Sequence, residues 1–287
     1  METLLRSAKA TVIISPERPT VLIGERVNPT GRKRLAAALR SGDLSLVKQE
    51  AMAQVEAGAD VLDVNVGAEG VDEADLLPQA VRLVMETVDL PVAIDTSDLQ
   101  ALADALGAHR QLAPEGKPLV NSVNGEEERL ARVLPLVKEH GAAVIGLCMD
   151  DEGVPSTAER RVEIARTIVE QAEALGIPRA DVVIDCLAMA VAADHTVARV
   201  TLETIRRVRE ELGVNMTLGA SNASFGLPER ETIDRAFLAM AIHAGINCPI
   251  VDVTKVRAAV VATDLLLGRD AYATRYISAY RQRTKGR

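Results

Sequence analysis

The sequence predicts a closed (β/α)8 TIM barrel, and three observations lead to it. Short β-branched runs alternate with helical-period segments along the chain, the pattern of β/α units around a parallel sheet. Eight such units can be drawn with no element to spare, which closes a barrel instead of leaving a doubly wound sheet. The length of 287 residues is close to the roughly 250 that one such barrel takes. The core must be aliphatic, because 48% of the residues are hydrophobic yet there is no Trp and only two Phe and three Tyr. That bias suits parallel strands buried on both faces.

Taken in order, the strands fall at 21–24, 61–64, 92–95, 119–122, 144–147, 182–185, 216–219 and 250–253. Helical periodicity places helices at 44–57, 75–87, 99–107, 126–140, 158–175, 197–211, 230–244 and 256–267. Several helices stop at a glycine just before the next strand, in "EAGAD", "EHGAA", "EALGIP" and "HAGIN", where the residue past a helix end needs positive φ. Glu126, Glu127 and Glu128 begin the fourth helix, where acidic side chains complement the helix dipole. Ser97 and Thr254 are the expected helix caps among the polar residues after strands. No linker or shift in composition divides the chain, so residues 1–287 are read as one domain, with the barrel core at about 20–268 and a C-terminal helical tail at 269–287 without a catalytic role.

The formal charge of −8 and the absence of a Lys/Arg cluster argue against nucleic acid or an anionic membrane as partner. The opening "METLLRSAKATVIIS" has no sustained apolar core with a cleavage site, and no apolar run approaches the roughly 18 residues of a membrane span. A soluble, cytoplasmic protein is expected. Cys148, Cys186 and Cys248 are too far apart for a C-x-x-C motif and odd in number, which fits buried thiols in a reducing compartment. The histidines, His109, His140, His195 and His243, have no metal-ligand spacing, and no protein-bound metal is expected. Only His195 falls near the mouth, where a surface position at a helix start is the simpler reading.

In such barrels the active site forms at the C-terminal ends of the strands. Here those ends are polar: Glu25 and Asn28, then Asp63 and Asn65, Asp95, Asn121, Cys148 and Asp150, Asp185, Ser221 and Asn222, and finally Asp252, Thr254 and Lys255. Carboxylates accept from N–H donors, and carboxamides both accept and donate. Converging on one mouth, they suit a neutral heterocycle rich in hydrogen-bonding groups. A phosphate site would want glycine-rich loops at helix N-termini or clustered Arg/Lys near strands seven and eight, and neither stands out.

With those residues assembled, the chain resembles the pterin-binding methyltransferases: methyltetrahydrofolate:corrinoid protein methyltransferases and the folate barrel of cobalamin-dependent methionine synthase. The motifs carrying the resemblance run in order from "LIGERVN" through "GADVLDVNVG", "VAIDTS", "VNSVNGE", "HGAAVIGLCMD", "VVIDCL" and "LGASNASFGLPER" to "FLAMAIHAGIN". The resemblance implies that Asp95, Asn121 and Asp185 hold the pterin ring and that Asn222 hydrogen-bonds the methyl-bearing ring nitrogen. It further implies that Asp63, Asn65, Glu25, Gly219 and Ser221 line the pocket and that Arg230 approaches the substrate's tail or assists the site. Cys186 stands where relatives often carry Pro.

The implied reaction moves a methyl group between methyltetrahydrofolate or tetrahydrofolate and the cobalt of a corrinoid (cobalamin). A tertiary amine is a poor leaving group, so its nitrogen must be protonated or strongly hydrogen-bonded in the transition state, and Asn222 can serve there without titrating. The chain has no D-x-H-x-x-G cobalt-ligand motif, so a separate corrinoid protein, with its activating reductase, is the expected partner. A homodimer is expected as well. Two alternatives remain open. Dihydropteroate synthase shares the fold, but its Gly-Gly-Glu-Ser, Ser-Arg-Lys and Arg-x-His stretches are replaced by "NVGAEG", "GASNAS" and "VDVTKV". A non-catalytic folate-binding barrel is the other.

Overall fold

The computed structural model describes residues 1–285. The chain opens with an antiparallel hairpin, β1 (Thr3–Arg6) and β2 (Thr11–Ile14), to which the sequence reading assigned no structure. The barrel strands follow as β3 (Ile23–Val27), β4 (Val61–Val64), β5 (Val92–Asp95), β6 (Leu119–Val123), β7 (Ala143–Leu147), β8 (Val182–Asp185), β9 (Asn215–Thr217) and β10 (Ile250–Val251). They form one eight-stranded sheet in the order β10-β3-β4-β5-β6-β7-β8-β9, with every pairing parallel. The ring closes between its ends. Cys248 N–H donates to the Met216 carbonyl at 3.2 Å and Ile250 N–H to the Leu218 carbonyl at 3.0 Å.

The helices are α1 (Lys33–Arg40), α2 (Ser45–Ala57), α3 (Glu73–Thr87), α4 (Leu99–Leu112), α5 (Glu127–His140), α6 (Ala158–Ala174), α7 (Val197–Glu211), α8 (Arg230–Ala244), α9 (Val253–Leu266) and α10 (Thr274–Lys285). Gly58, Gly141, Gly176 and Gly245, which follow α2, α5, α6 and α8, all have positive φ, as their placement before strands predicts. The α1 helix was not foreseen, and α4 continues through Gly107 to Leu112 because one glycine costs a helix only about 1 kcal/mol. The caps differ from expectation. Asp98 accepts from Ala101 N–H at 2.8 Å and Asp252 from Thr254 N–H at 3.2 Å. Ser97 lies one residue too early and Thr254 already inside its helix, so neither hydroxyl occupies the capping position. Because Asp252 turns away to start α9, β10 ends at Val251 rather than 253.

Two apolar cores result. The larger lies between barrel wall and helices, and includes Leu62, Val64, Leu77, Ile94, Leu102, Ile168, Ile184 and Leu238. The smaller fills the barrel interior with Ile23, Val61, Ala93, Leu119, Ile145 and Val183, and it also contains Leu5 and Ile14 of the hairpin. The hairpin therefore plugs the N-terminal end. Its Thr3 hydroxyl donates to the Ala180 carbonyl, Asn215 Nδ2 donates to Thr3 Oγ1 at 2.8 Å and the Ile14 carbonyl at 3.0 Å, and Ser7 Oγ donates to Asp89 at 2.9 Å. Just after it, Thr20 donates its N–H and hydroxyl to Asp264, at 2.9 and 2.7 Å. With that end closed, ligands have the opposite face.

Candidate active site

Parallel pairing brings the last residues of adjacent strands side by side; Asp95 and Asn121 are direct partners between β5 and β6. Asp63 of β4, 1% exposed, accepts from Asn121 Nδ2 at 3.1 Å. Asn65 Nδ2 donates to Asp95 Oδ2 at 3.0 Å, while its Oδ1 accepts from Gly67 N–H at 2.8 Å. Burial, and secondarily the charge of Asp95, pushes the Asp63 carboxyl well above the usual carboxylate range. Asp95 is also pushed up, again chiefly by burial. Two buried carboxyls this close do not readily ionise together. Hence the group presents at least one donor among its acceptors when it holds the shared proton.

Across the mouth, Asp185 closes β8. Its Oδ1 accepts from Leu187 N–H at 2.7 Å, and no described residue donates to Oδ2. Burial raises its carboxyl to about 7, against the pull of the Leu187 N–H and the charge of Arg161. Glu25 lies within β3 rather than at its end. Its carboxyl also rises to about 7, first by burial and then by the charges of Asp252 and Asp234, while Lys255 and the Ser221 hydroxyl lower it.

Asn222 is presented differently. After β9 the backbone enters a single 3-10 turn, Ala220–Asn222, and the Asn222 side chain is exposed and makes no hydrogen bond to another described residue. Its amide lies over Gly219, where an added Cβ would come within 3.0 Å of Nδ2. A side chain at 219 would displace the amide. Arg230 braces this turn, donating to the Ser221 carbonyl at 2.6 Å and Ser224 Oγ at 2.9 Å, with its guanidinium 5.8 Å from the Phe225 ring.

The structure thus gathers Asp63, Asn65, Asp95 and Asn121 into one network, and sets Asp185, Glu25, Gly219, Ser221 and Asn222 at the same end of the barrel. Of the two roles expected for Arg230, its contacts fit assistance to the site: its donors are turned back onto the loop that carries Asn222. Other polar strand-end residues are committed elsewhere. Asp252 caps α9 and pairs with Arg26 at 2.8 Å, Asp150 pairs with Arg160 at 2.9 Å, and Asn28 accepts from Thr30 N–H at 2.9 Å. His195 is exposed beside Asp194. All three cysteines are free and buried. A groove of about 940 Å³ lies among side chains of α2, α9 and α10 such as Arg257, Tyr276 and Tyr280, with Thr254 and Lys255 in its lining; it contains none of Asp63, Asn65, Asp95, Asn121, Asp185 and Asn222. One residue next to the site went unnoticed in the sequence. Arg161, on α6, is buried against the turn that follows Asp185. Its position with Ala158, Val162, Ala165 and Ile168 on the apolar face of the helix was the available signal, because a charge there needs a partner.

Carboxylates and carboxamides converging on the open end of a plugged barrel have the hydrogen-bonding groups that a nitrogen heterocycle would match, and comparison with known proteins gives the family. The family described as pterin binding enzyme matches residues 24–252, and the chain belongs to that family. It is 31% identical to the methylcorrinoid:tetrahydrofolate methyltransferase of Eubacterium limosum, over 91% of this chain and 96% of that protein. It is 34% identical to methionine synthase of Mycobacterium leprae (strain TN), over 87% of this chain but only 22% of the larger enzyme. Among solved structures it resembles the Xanthomonas albilineans dihydropteroate synthase with 4-aminobenzoic acid, at 19% identity and a TM-score of 0.69 over 93% of this chain and 99% of that one. A likeness at that identity speaks for the shared fold alone.

Proposed function

We propose that this enzyme moves a methyl group between methyltetrahydrofolate or tetrahydrofolate and the cobalt of a separate corrinoid protein. The observation that carries the reading is the division of the mouth into buried acceptors on strands and one unengaged carboxamide, Asn222, on the turn after β9. The name of the Eubacterium limosum relative, which this chain matches over nearly its full length, supports the substrate pair and favours transfer from corrinoid to folate.

In this reading Asp95, Asn121 and Asp185 bind the pterin edge, with Asp63 and Asn65 holding Asn121 and Asp95 in place. Asp185 Oδ2 accepts from ring N–H groups. The Asn222 amide faces the methyl-bearing nitrogen and accepts from it when protonated or donates to it when neutral. Gly219 leaves room for that amide, Arg230 and Ser221 fix the turn, and Glu25 is a half-buried carboxyl beside it whose proton is exchangeable near neutral pH. The corrinoid of the partner supplies the metal centre that exchanges the methyl group, and the barrel contributes orientation and electrostatics. A cytoplasmic homodimer of single-domain chains, with both mouths open to the corrinoid protein and its reductase, completes the proposal.

The test is to mix the protein with methyltetrahydrofolate and a reduced corrinoid protein and to follow the cobalt(I) absorbance, then to run the methylated corrinoid with tetrahydrofolate in reverse. Exchange in either direction supports the reading. Folate binding without exchange points to a non-catalytic barrel, and condensation of pterin diphosphate with aminobenzoate would replace it with the synthase. Light scattering that finds only a 30.6 kDa species would remove the dimer.

A further inference from the structure

Arg161 is the largest fully buried side chain among the described residues, and none of their carboxylates hydrogen-bonds it. A guanidinium taken out of water without a counter-ion is costly unless its donors are satisfied. Here Nε and Nη1 find three backbone carbonyls and one hydroxyl. Nε donates to the Pro155 carbonyl at 2.9 Å, and Nη1 to the carbonyls of Cys186 at 3.1 Å and Leu187 at 2.9 Å, with Thr201 Oγ1 at 3.3 Å. Thr201 in turn donates its hydroxyl to the same Leu187 carbonyl at 3.0 Å.

Leu187 is one of few non-glycine residues with positive φ, at 57°. That conformation is unfavourable for leucine and persists only where neighbours over-determine it. In it, the Leu187 N–H reaches back to Asp185 Oδ1 at 2.7 Å. A chain of contacts therefore runs from α6 to the site: Arg161 and Thr201 hold the Leu187 carbonyl, and the Leu187 N–H holds Asp185. The ionisable groups facing Asp185 are Arg161 from α6, Cys186 beside it and Cys248 ahead of β10, while Cys148 at the end of β7 faces Cys186. Burial pushes the Cys186 and Cys248 thiols up, so they stay neutral. The positive charge in this set is Arg161.

We propose that Arg161 is a positioning residue: by holding Leu187 in its left-handed turn it aims Asp185 into the barrel mouth, and its positive charge favours the carboxylate form that the N–H groups of a bound pterin need. The inference deepens the proposed function, since it rests on Asp185 being a ligand-binding residue. Its electrostatic half is measurable without any ligand.

The experiment compares Arg161→Met, Arg161→Lys and wild type in two readouts. The first is the titration of Asp185 by carbon NMR of aspartate-labelled, ligand-free protein, assigned with Asp185→Asn. Loss of a nearby opposite charge should raise the midpoint by about one to three pH units in Arg161→Met. In Arg161→Lys, which keeps the charge, the shift should stay below about half a unit. The second is calorimetric affinity for methyltetrahydrofolate at pH 7.5, expected to fall about tenfold or more in Arg161→Met and less in Arg161→Lys. A folded Arg161→Met with the wild-type midpoint and affinity overturns the proposal. Equal losses of affinity in both variants with an unmoved midpoint also overturn it, because that is packing alone. Should Arg161→Met not fold, Thr201→Val decides: a several-fold loss of affinity with kcat retained supports the relay through Leu187, and unchanged affinity ends it. If wild type binds no folate, the reading of the ligand fails while the Asp185 midpoint still judges Arg161.

Discussion

Asp63, Asp95, Asn121 and Asp185 are held in the strands themselves, half-buried or deeper, with hydrogen bonds to one another or to neighbouring backbone. Asn222 meets the same mouth from a one-turn loop, exposed and unengaged. The strand-held groups are preorganised and electrostatically uncomfortable, since burial pushes Asp63, Asp95 and Asp185 up. Asn222 is neutral and has nothing to lose in the free protein. The contrast separates two tasks. Groups fixed before the ligand arrives hold ground state and transition state alike, whereas a free amide on a short turn can be spent on the charge that develops in the reaction.

The largest expected effect breaks the loop side. Asn222→Ala should slow methyl transfer by about 10–10³-fold, as for loss of one donor aimed at developing charge, while folate affinity changes much less. Rates from cobalt(I) absorbance set against equilibrium binding check this. A loss of affinity as large as the loss of rate would make Asn222 an ordinary binding residue and erase the contrast.

On the strand side, the raised carboxyl of Asp185 predicts a stability effect of known sign. Its folded value of about 7 lies above the roughly 3.9 of an unfolded aspartate, so the folded protein binds the proton more tightly. Its contribution to stability is full below pH of about 4 and is lost as pH rises towards 7. Asp185→Asn, neutral throughout, should be more stable than wild type at pH 8 by about 4 kcal/mol and nearly equal to it at pH 4. Thermal melts across that range test it; a gap that does not grow with pH would mean that Asp185 is not strained by burial.

The same carboxylate should matter for binding. Asp185→Ala should weaken methyltetrahydrofolate by about 1.5–3 kcal/mol, the worth of hydrogen bonds to a charged acceptor, with kcat on saturated enzyme much less affected. Calorimetry that finds wild-type affinity would remove Asp185 from the site. The smallest effect is expected at the brace. Arg230→Ala frees the turn around Asn222 at a cost of about 1 kcal/mol, that of one or two hydrogen bonds, and should slow transfer a few-fold without changing affinity. A loss of affinity instead would mean that Arg230 leaves the loop to meet the substrate.

The barrel was legible in the sequence because each of its signals is local. Val-, Ile- and Leu-rich runs define the strands, glycines such as Gly58 and Gly141 fall where left-handed backbone is required, and the Asx residues stand at strand ends whatever their partners. The hairpin was not. Its turn, Ser7 to Ala10, has none of the Gly or Asn that mark tight turns, and only Thr3, Leu5 and Ile14 of its two strands are buried, a pattern too short to count. Arg161 was hidden for another reason: in "TAERRVEIARTIV" it reads as one of several charges on an amphipathic helix, and its partners are carbonyls 25 and 26 residues away. The orientation of Arg230 is likewise a matter of side-chain contacts, which spacing does not encode.

The plug at the N-terminal end of the barrel also dictates an order of events in the cell. Thr3 is held by Ala180 and Asn215, and Thr20 by Asp264, at separations of 177, 212 and 244 residues. At a synthesis rate of about 5–20 residues per second, Asp264 is made roughly 12–50 s after Thr20. For most of that interval β3 lacks its neighbour β10, and the hairpin's partners Asp89, Ala180 and Asn215 arrive one after another, so the nascent half-barrel carries bare strand edges. Closure is therefore a late, long-range step. Shielding of those edges during translation, rather than the strength of any single contact, should govern how much of this protein reaches its folded state.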